Sequence, residues 1–299
     1  MDIMETGNTE IRKRSENDRS YWGSVIFRLR KNKMAMIGIA LLIIVVLSCI
    51  IVPMVSPYDI YRTNTANSEL PPNSEHLFGT DQLGRDLFTR FFYAGRISLG
   101  IALAVTLLQC IVGVILGGIA GFYGKFVDTI IMRLCEIFMS LPFLMMCITI
   151  VALFGNSIRN LIFVFVLLTW PSITRVVRGQ ILTLRELEYM QACEALGISD
   201  FKRIFRHLLP NVLAYVIVYA TLGMASVILT ETALSFLGLG VSPPTPTWGT
   251  MIQAARNTVI LQQRLWYWIP PGLGIFISVM CFNLVGDGMR DAIDPKMKR

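Results

Sequence analysis

Charge is what this sequence has least of. Asp, Glu, Lys and Arg make up 16% of its 299 residues, where a soluble domain carries about 25%. The shortfall excludes an ordinary water-facing surface. A hydrophobic share of 54% and a mean hydropathy of +0.58 direct the surplus apolar surface at lipid. Histidine is nearly absent, and His76 and His207 stand alone. The six cysteines, Cys49, Cys110, Cys135, Cys147, Cys193 and Cys281, show no CxxC or CxxH spacing. Neither a disulfide framework nor a zinc site is expected of them, and they read as small buried hydrophobes. Also missing are the Gly-x4-Gly-Lys-Ser/Thr phosphate loop, the Gly-x-Ser-x-Gly nucleophile turn and the His-Glu-x-x-His metal helix. Accordingly no catalytic residue, metal ligand or bound cofactor is assigned to this chain.

What is present is a series of long apolar runs. A bilayer core of about 30 Å needs about 20 apolar residues in helix. Met34–Met54 meets that length without a charge and follows Arg28, Arg30, Lys31 and Lys33. It is too long for a secretory signal and is read as a retained anchor. Further spans are expected at Ile97–Phe122, Leu134–Phe154, Leu161–Val177, Val212–Leu234 and Trp268–Val285, the fourth being short and holding Pro171. The fold class is therefore an all-α integral membrane protein with six transmembrane helices. Its expected organisation is a cytoplasmic tail (1–33), a first helix (34–54), an extracytoplasmic loop (55–96), a five-helix core (97–289) and a second cytoplasmic tail (290–299).

Cation placement orients the bundle. Twenty of the 27 Lys and Arg fall on one side if both termini are cytoplasmic, and seven fall on the other. The positive-inside bias then favours an N-in, C-in topology. It also accounts for the net charge of +7 without nucleic acid. Gly113, Gly117 and Gly121 line one face of the second span, which admits a close helix contact within the chain or between subunits.

Charges within or beside the spans are few. Glu231 lies in the fifth span, and an ionisable residue there is a functional candidate by default. With Ser235 it is taken as a candidate gate or pathway residue, against the alternative of a structural hydrogen-bond partner. Arg133 and Glu136, and Asp287 and Arg290, are spaced to pair along a helix, as are Asp86 and Arg90 on a segment expected outside. Met251–Leu265, before the Trp266-Tyr267-Trp268 belt, is also expected at the outer surface.

The loop between the fourth and fifth spans, 178–211, is polar, charged and patterned. Thr183 with Glu186 reads as a capping box that starts a helix. Gly197 is placed to end that helix in a left-handed turn. Ser199 can cap a second helix, in which Phe201, Ile204, Phe205 and Leu208 share one apolar face. Pro210 is expected to break the chain before the next span. Such a helix–turn–helix either packs on its own bundle or meets a partner.

Residues 191–210 resemble the cytoplasmic loop of ABC importer permeases: Glu-Ala-Ala, three residues, Gly, nine residues, then Ile-x-Leu-Pro. Here Gln191-Ala192-Cys193, Gly197 and His207-Leu208-Leu209-Pro210 stand at matching spacing, with Gln for Glu, Cys for Ala and His for Ile. Gly79-Thr80-Asp81-Gln82-Leu83-Gly84-Arg85-Asp86 resembles the signature of the family's peptide and nickel branch. So do Ser235-Phe236-Leu237-Gly238-Leu239-Gly240, Pro244-x3-Trp248-Gly249 and the stretch from Asn283 to Pro295. The likeness is greatest to the second permease of oligopeptide, dipeptide and nickel importers.

That resemblance implies a type I importer permease bundle. It implies a second homologous permease, two cytoplasmic ATPases that use ATP and Mg, and an extracytoplasmic substrate-binding protein. The loop would couple to the ATPases through Glu186, Gln191, Ala192, Gly197, Phe201, Ile204, Phe205, His207, Leu209 and Pro210. Short peptides are the expected cargo, with a nickel or metal-chelate importer as the alternative. A secondary transporter is the rival of another class, but no repeat relates the two halves of the chain.

Overall fold

Each apolar run becomes helix, because lipid offers backbone N–H and C=O groups no partner outside the helix itself. The computed structural model describes residues 21–293, and among these no strand occurs. The first and last stretches of the two expected tails, 1–20 and 294–299, lie outside the described residues, as does the end of the motif that closes at Pro295. Helix α1 (Tyr21–Lys31) gives way at Asn32 to α2 (Lys33–Val55), whose first turn Asn32 caps by accepting from the Ala35 N–H at 3.1 Å.

A loop then leads into α3 (Leu87–Tyr123), 37 residues and about 55 Å long at 1.5 Å per residue. It exceeds a bilayer core, and its first ten residues precede the second apolar run. There follow α4 (Lys125–Ser140), α5 (Phe143–Phe154), α6 (Ile158–Arg185), α7 (Glu188–Ala195) and α8 (Asp200–Phe236). The chain closes with α9 (Trp248–Gln253), α10 (Thr258–Gln263) and α11 (Ile269–Ile293).

The segments holding α2, α3, α6, α8 and α11 are each long and apolar enough to cross a membrane. The third expected span differs from expectation. Leu134–Phe154 is not one straight span but the junction of α4 and α5, which meet at 84°. Pro142 stands at the bend as N-cap of α5, where its missing N–H costs no helix bond. Pro171, by contrast, does not interrupt its helix: α6 runs through it for 28 residues, well past the apolar run.

The most extensive helix contact joins α3 to α6. The glycine stripe makes it possible. A Cβ on Gly113 would stand 2.3 Å from Ile173 Cγ2, one on Gly117 2.5 Å from the Thr174 carbonyl oxygen, and one on Gly121 2.9 Å from Ile181 Cβ. All three neighbours belong to α6, so the stripe serves a contact within the chain. All six cysteines are free and buried.

The two ends of the bundle differ. At one end α1 packs through Val25 on Ala214, Ala292 and Ile293, so α1, the start of α8 and the close of α11 lie together. At the other end the 56–86 loop folds on itself around Asp81. That carboxylate accepts from the N–H groups of Leu83 and Arg85, pairs with the Arg85 side chain at 2.7 Å and lies 3.7 Å from Arg90. Asp86 and Arg90 therefore do not pair with each other. Asp86 caps α3 and bonds His76 at 3.0 Å, while Arg90 donates to the Ile60 carbonyl at 2.7 Å. Arg133 and Glu136 do pair, at 2.7 Å. Asp287 and Arg290 are both exposed, and no ion pair joins them among the described residues. Nor is Met251–Leu265 wholly at the surface. Its beginning in α9 is buried beside Trp248, whose indole N–H donates to the Phe91 carbonyl at 3.0 Å.

Candidate functional site

The hairpin between α6 and α8 is built by one glycine and one arginine. At Gly197 (φ +69°) the chain turns left-handed, the Ile198 N–H reaches back to the Cys193 carbonyl at 3.0 Å, and the Gly197 N–H reaches Glu194 at 2.9 Å. That pair of bonds is a Schellman cap. Arg203 then clasps the two arms, donating to Glu194 at 2.9 Å and Asp200 at 2.6 Å while its guanidinium lies 5.3 Å from the Phe122 ring of α3. Met190 from α7 and Leu208 from α8 are buried in a cluster with Ile181 and Val212. The hairpin is thus fixed to the bundle.

Its start and its end depart from expectation. Thr183 lies inside α6, its hydroxyl donating to the Gly179 carbonyl at 3.1 Å, so no capping box forms with Glu186. Glu186 instead follows the last turn of α6, and Leu187 precedes α7. Ser199 makes no side-chain cap bond. Pro210 breaks nothing. Residues Arg203–Leu208 wind as π-helix directly before it, and α8 continues to Phe236. The wider turn accommodates a residue without an N–H, and Asn211 donates to the His207 carbonyl at 2.7 Å.

The expected apolar stripe divides in two. Leu208 is fully buried and Ile204 half-buried, while Phe201 and Phe205 remain 69% and 53% exposed, with ring centres 4.5 Å apart. Leu196 at the tip is 79% exposed. Gln191 and Ala192 are exposed, and Gln191 donates to the Glu186 carbonyl at 3.2 Å. His207, Leu209 and Pro210 are half-buried at the root.

Glu231 and Ser235 lie at the opposite end, away from the hairpin. One Glu231 oxygen accepts from Ser235 at 2.7 Å and from Thr247 at 2.8 Å. Its other oxygen is buried and has no partner among the described residues. Thr247 also caps α9, and the Trp248 N–H donates to Ser98 of α3 at 3.1 Å. Gly240 and Gly249 press on Ser235 so closely that a Cβ on either would lie within 3 Å of it. The carboxylate therefore ties α8 to α9 and α3 in a buried joint.

Between the two ends, α3, α5, α6 and α8 enclose a half-open cavity of about 480 Å³. Its polar lining comes from Gln109, Thr169, Ser172, Tyr219, Ser226 and Thr230. Neither Glu231 nor Ser235 borders it. A search for charged residues in the spans passes over this group, because an amide and hydroxyls carry no charge. Only the meeting of separate helices reveals it.

The folded chain can be set beside known proteins. Residues 113–299 match the model of the binding-protein-dependent transport system inner membrane component, and residues 20–72 match that of the N-terminal TM domain of oligopeptide transport permease C. A dipeptide transport system permease protein of Alkalihalophilus pseudofirmus is 40% identical over 93% of this chain and 91% of its own length. An oligopeptide transport system permease protein of Bacillus subtilis is 38% identical over 97% and 94%. A dipeptide transport system permease protein of Bacillus subtilis is 39% identical over 94% and 87%. A helical bundle with several membrane crossings and likeness of this extent leave one assignment: the chain belongs to the family of binding-protein-dependent transport system inner membrane components.

Proposed function

We propose that this chain is one permease subunit of an ATP-driven importer of short peptides in the bacterial inner membrane. In this reading the chain and a second permease form the path, and an extracytoplasmic binding protein delivers cargo. Two ATPases that use ATP and Mg supply the energy, and the hairpin end faces them in the cytoplasm. The observation that carries the coupling role is the exposed Phe201–Phe205 pair on a hairpin held rigid by Arg203 and Gly197. Exposed aromatic rings on a fixed scaffold are the anchors a protein partner buries. The names of the relatives favour peptides.

The test is purification of the chain in mild detergent from its native membrane, with co-purifying subunits quantified. A second permease and ATPases should accompany it, and the Phe201→Ser/Phe205→Ser variant should retain the permease while losing at least about tenfold in bound ATPase. Recovery of the chain alone even after cross-linking would overturn the reading in favour of a secondary transporter.

A further inference from the structure

Gln109 is buried to 2% exposure near the middle of α3, yet only one end of its amide is engaged. Thr169 of α6 donates to the Gln109 Oε1 at 2.6 Å. The Nε2 has no partner among the described residues and points toward Gly223 of α8, where a Cβ would stand 3.4 Å away. Both residues border the cavity of about 480 Å³. Thr169 also sits 2.6 Å from the Phe165 carbonyl of its own helix. One hydroxyl proton serves one acceptor well, so rotating the amide would let Gln109 donate to Thr169 and turn its carbonyl to the cavity instead. Either way, one end of a neutral amide faces the cavity unpaired. That end is free to bond a polar group that enters the half-open cavity.

The rest of the lining narrows the ligand. Carboxylates, amines, guanidinium groups, imidazoles and thiols are absent from it. A bare cation finds no strong ligand there, and a charged side chain of either sign finds no counter-charge. The group that a peptide of any sequence presents is its backbone amide, one donor and one acceptor, which matches either end of Gln109.

We infer that Gln109, held by Thr169 and left open by Gly223, is a backbone-reading site that bonds the peptide amide during passage, independent of side-chain charge. The inference rests on the importer reading above. It makes Gln109 a specificity residue, and the substrate class is the peptide bond itself.

The test uses the complete transporter, with its binding protein, in proteoliposomes, and compares trialanine with analogues in which one peptide bond is an ester. An ester lacks the N–H and is a weaker acceptor. The binding protein's own preference for amide over ester is the same whichever permease variant is present, so it cancels. In Gln109→Leu, uptake of trialanine at limiting concentration should fall about fivefold, the effect of one neutral hydrogen bond. The amide-over-ester preference should shrink by a similar factor, while the subunit composition of the purified complex stays unchanged. Thr169 keeps the Phe165 carbonyl as acceptor, so the variant strands no hydroxyl. Should it still not assemble, Gly223→Ala, which sets a methyl against the open side of the amide, should lower the preference about twofold. An unchanged preference in the variants beside a wild type that moves peptides overturns the role of Gln109 alone. A wild type that moves no peptide overturns the importer reading and this inference with it.

Discussion

Gly197 shows how far a single residue can be argued. Its φ of +69° lies where a side chain is strained, yet nothing stands within 4 Å of a Cβ added there. The cost of replacement is therefore conformational and not steric. A β-branched residue is the worst choice, so Gly197→Val should open the Schellman cap and misdirect the tip of the hairpin. The buried anchors Met190 and Leu208 would keep the helices in place. The expected result is full membrane insertion with at least about tenfold less co-purifying ATPase, read by quantitative co-purification. Gly197 was legible because a glycine after a helical pattern has one dominant use. Thr183 and Glu186 carried an equally regular pattern and misled, because α6 ran on through Thr183 and closed only at Arg185, just before Glu186. Gln109 was not legible at all. Its significance depends on Thr169 and Gly223, which are 60 and 114 positions away in the chain.

At the scale of the element, packing overrules local rules in both directions. Hydropathy averaged over Leu134–Phe154 predicts one span, since the average cannot register a change of direction at Pro142. Proline alone does not decide either: Pro171 sits within a continuous α6, and Pro210 follows a π-helical stretch that absorbs it. The glycine stripe of α3 is the reverse case, where spacing announced a close contact but not its partner. Gly117 faces backbone, and the carbonyl oxygen of Thr174 would be 2.5 Å from a Cβ. Backbone cannot rotate aside as a side chain can. Gly117→Val should therefore force α3 and α6 apart and destabilise the subunit by about 2–3 kcal/mol. Gly118→Ala is the control, since its nearest neighbour lies 3.9 Å from an added Cβ, and it should stay within about 0.5 kcal/mol of wild type. Thermal unfolding of the detergent-solubilised protein, followed by tryptophan fluorescence, separates the two.

For the whole molecule, the fold places the hairpin and the Glu231 joint at opposite ends of the bundle. Tyr123 closes α3 at the hairpin end, while Ser98 and Phe91 meet Trp248 at the other. A load on the hairpin thus bears on α3, α6 and α8 together, and these helices also wall the polar cavity. The distribution of cations bears on which end faces the cytoplasm. The excess of Lys and Arg on the hairpin side predicts that this side is internal. Exposed Ser74 in the 56–86 loop and exposed Ser199 in the hairpin report the two faces. The six native cysteines are buried and should contribute little background. A membrane-impermeant maleimide added to intact cells, or to spheroplasts where an outer membrane intervenes, should label Ser74→Cys. It should reach Ser199→Cys only after permeabilisation of the inner membrane. Labelling of Ser199→Cys from outside would invert the topology, and the hairpin could then no longer meet an ATPase that draws on cytoplasmic ATP.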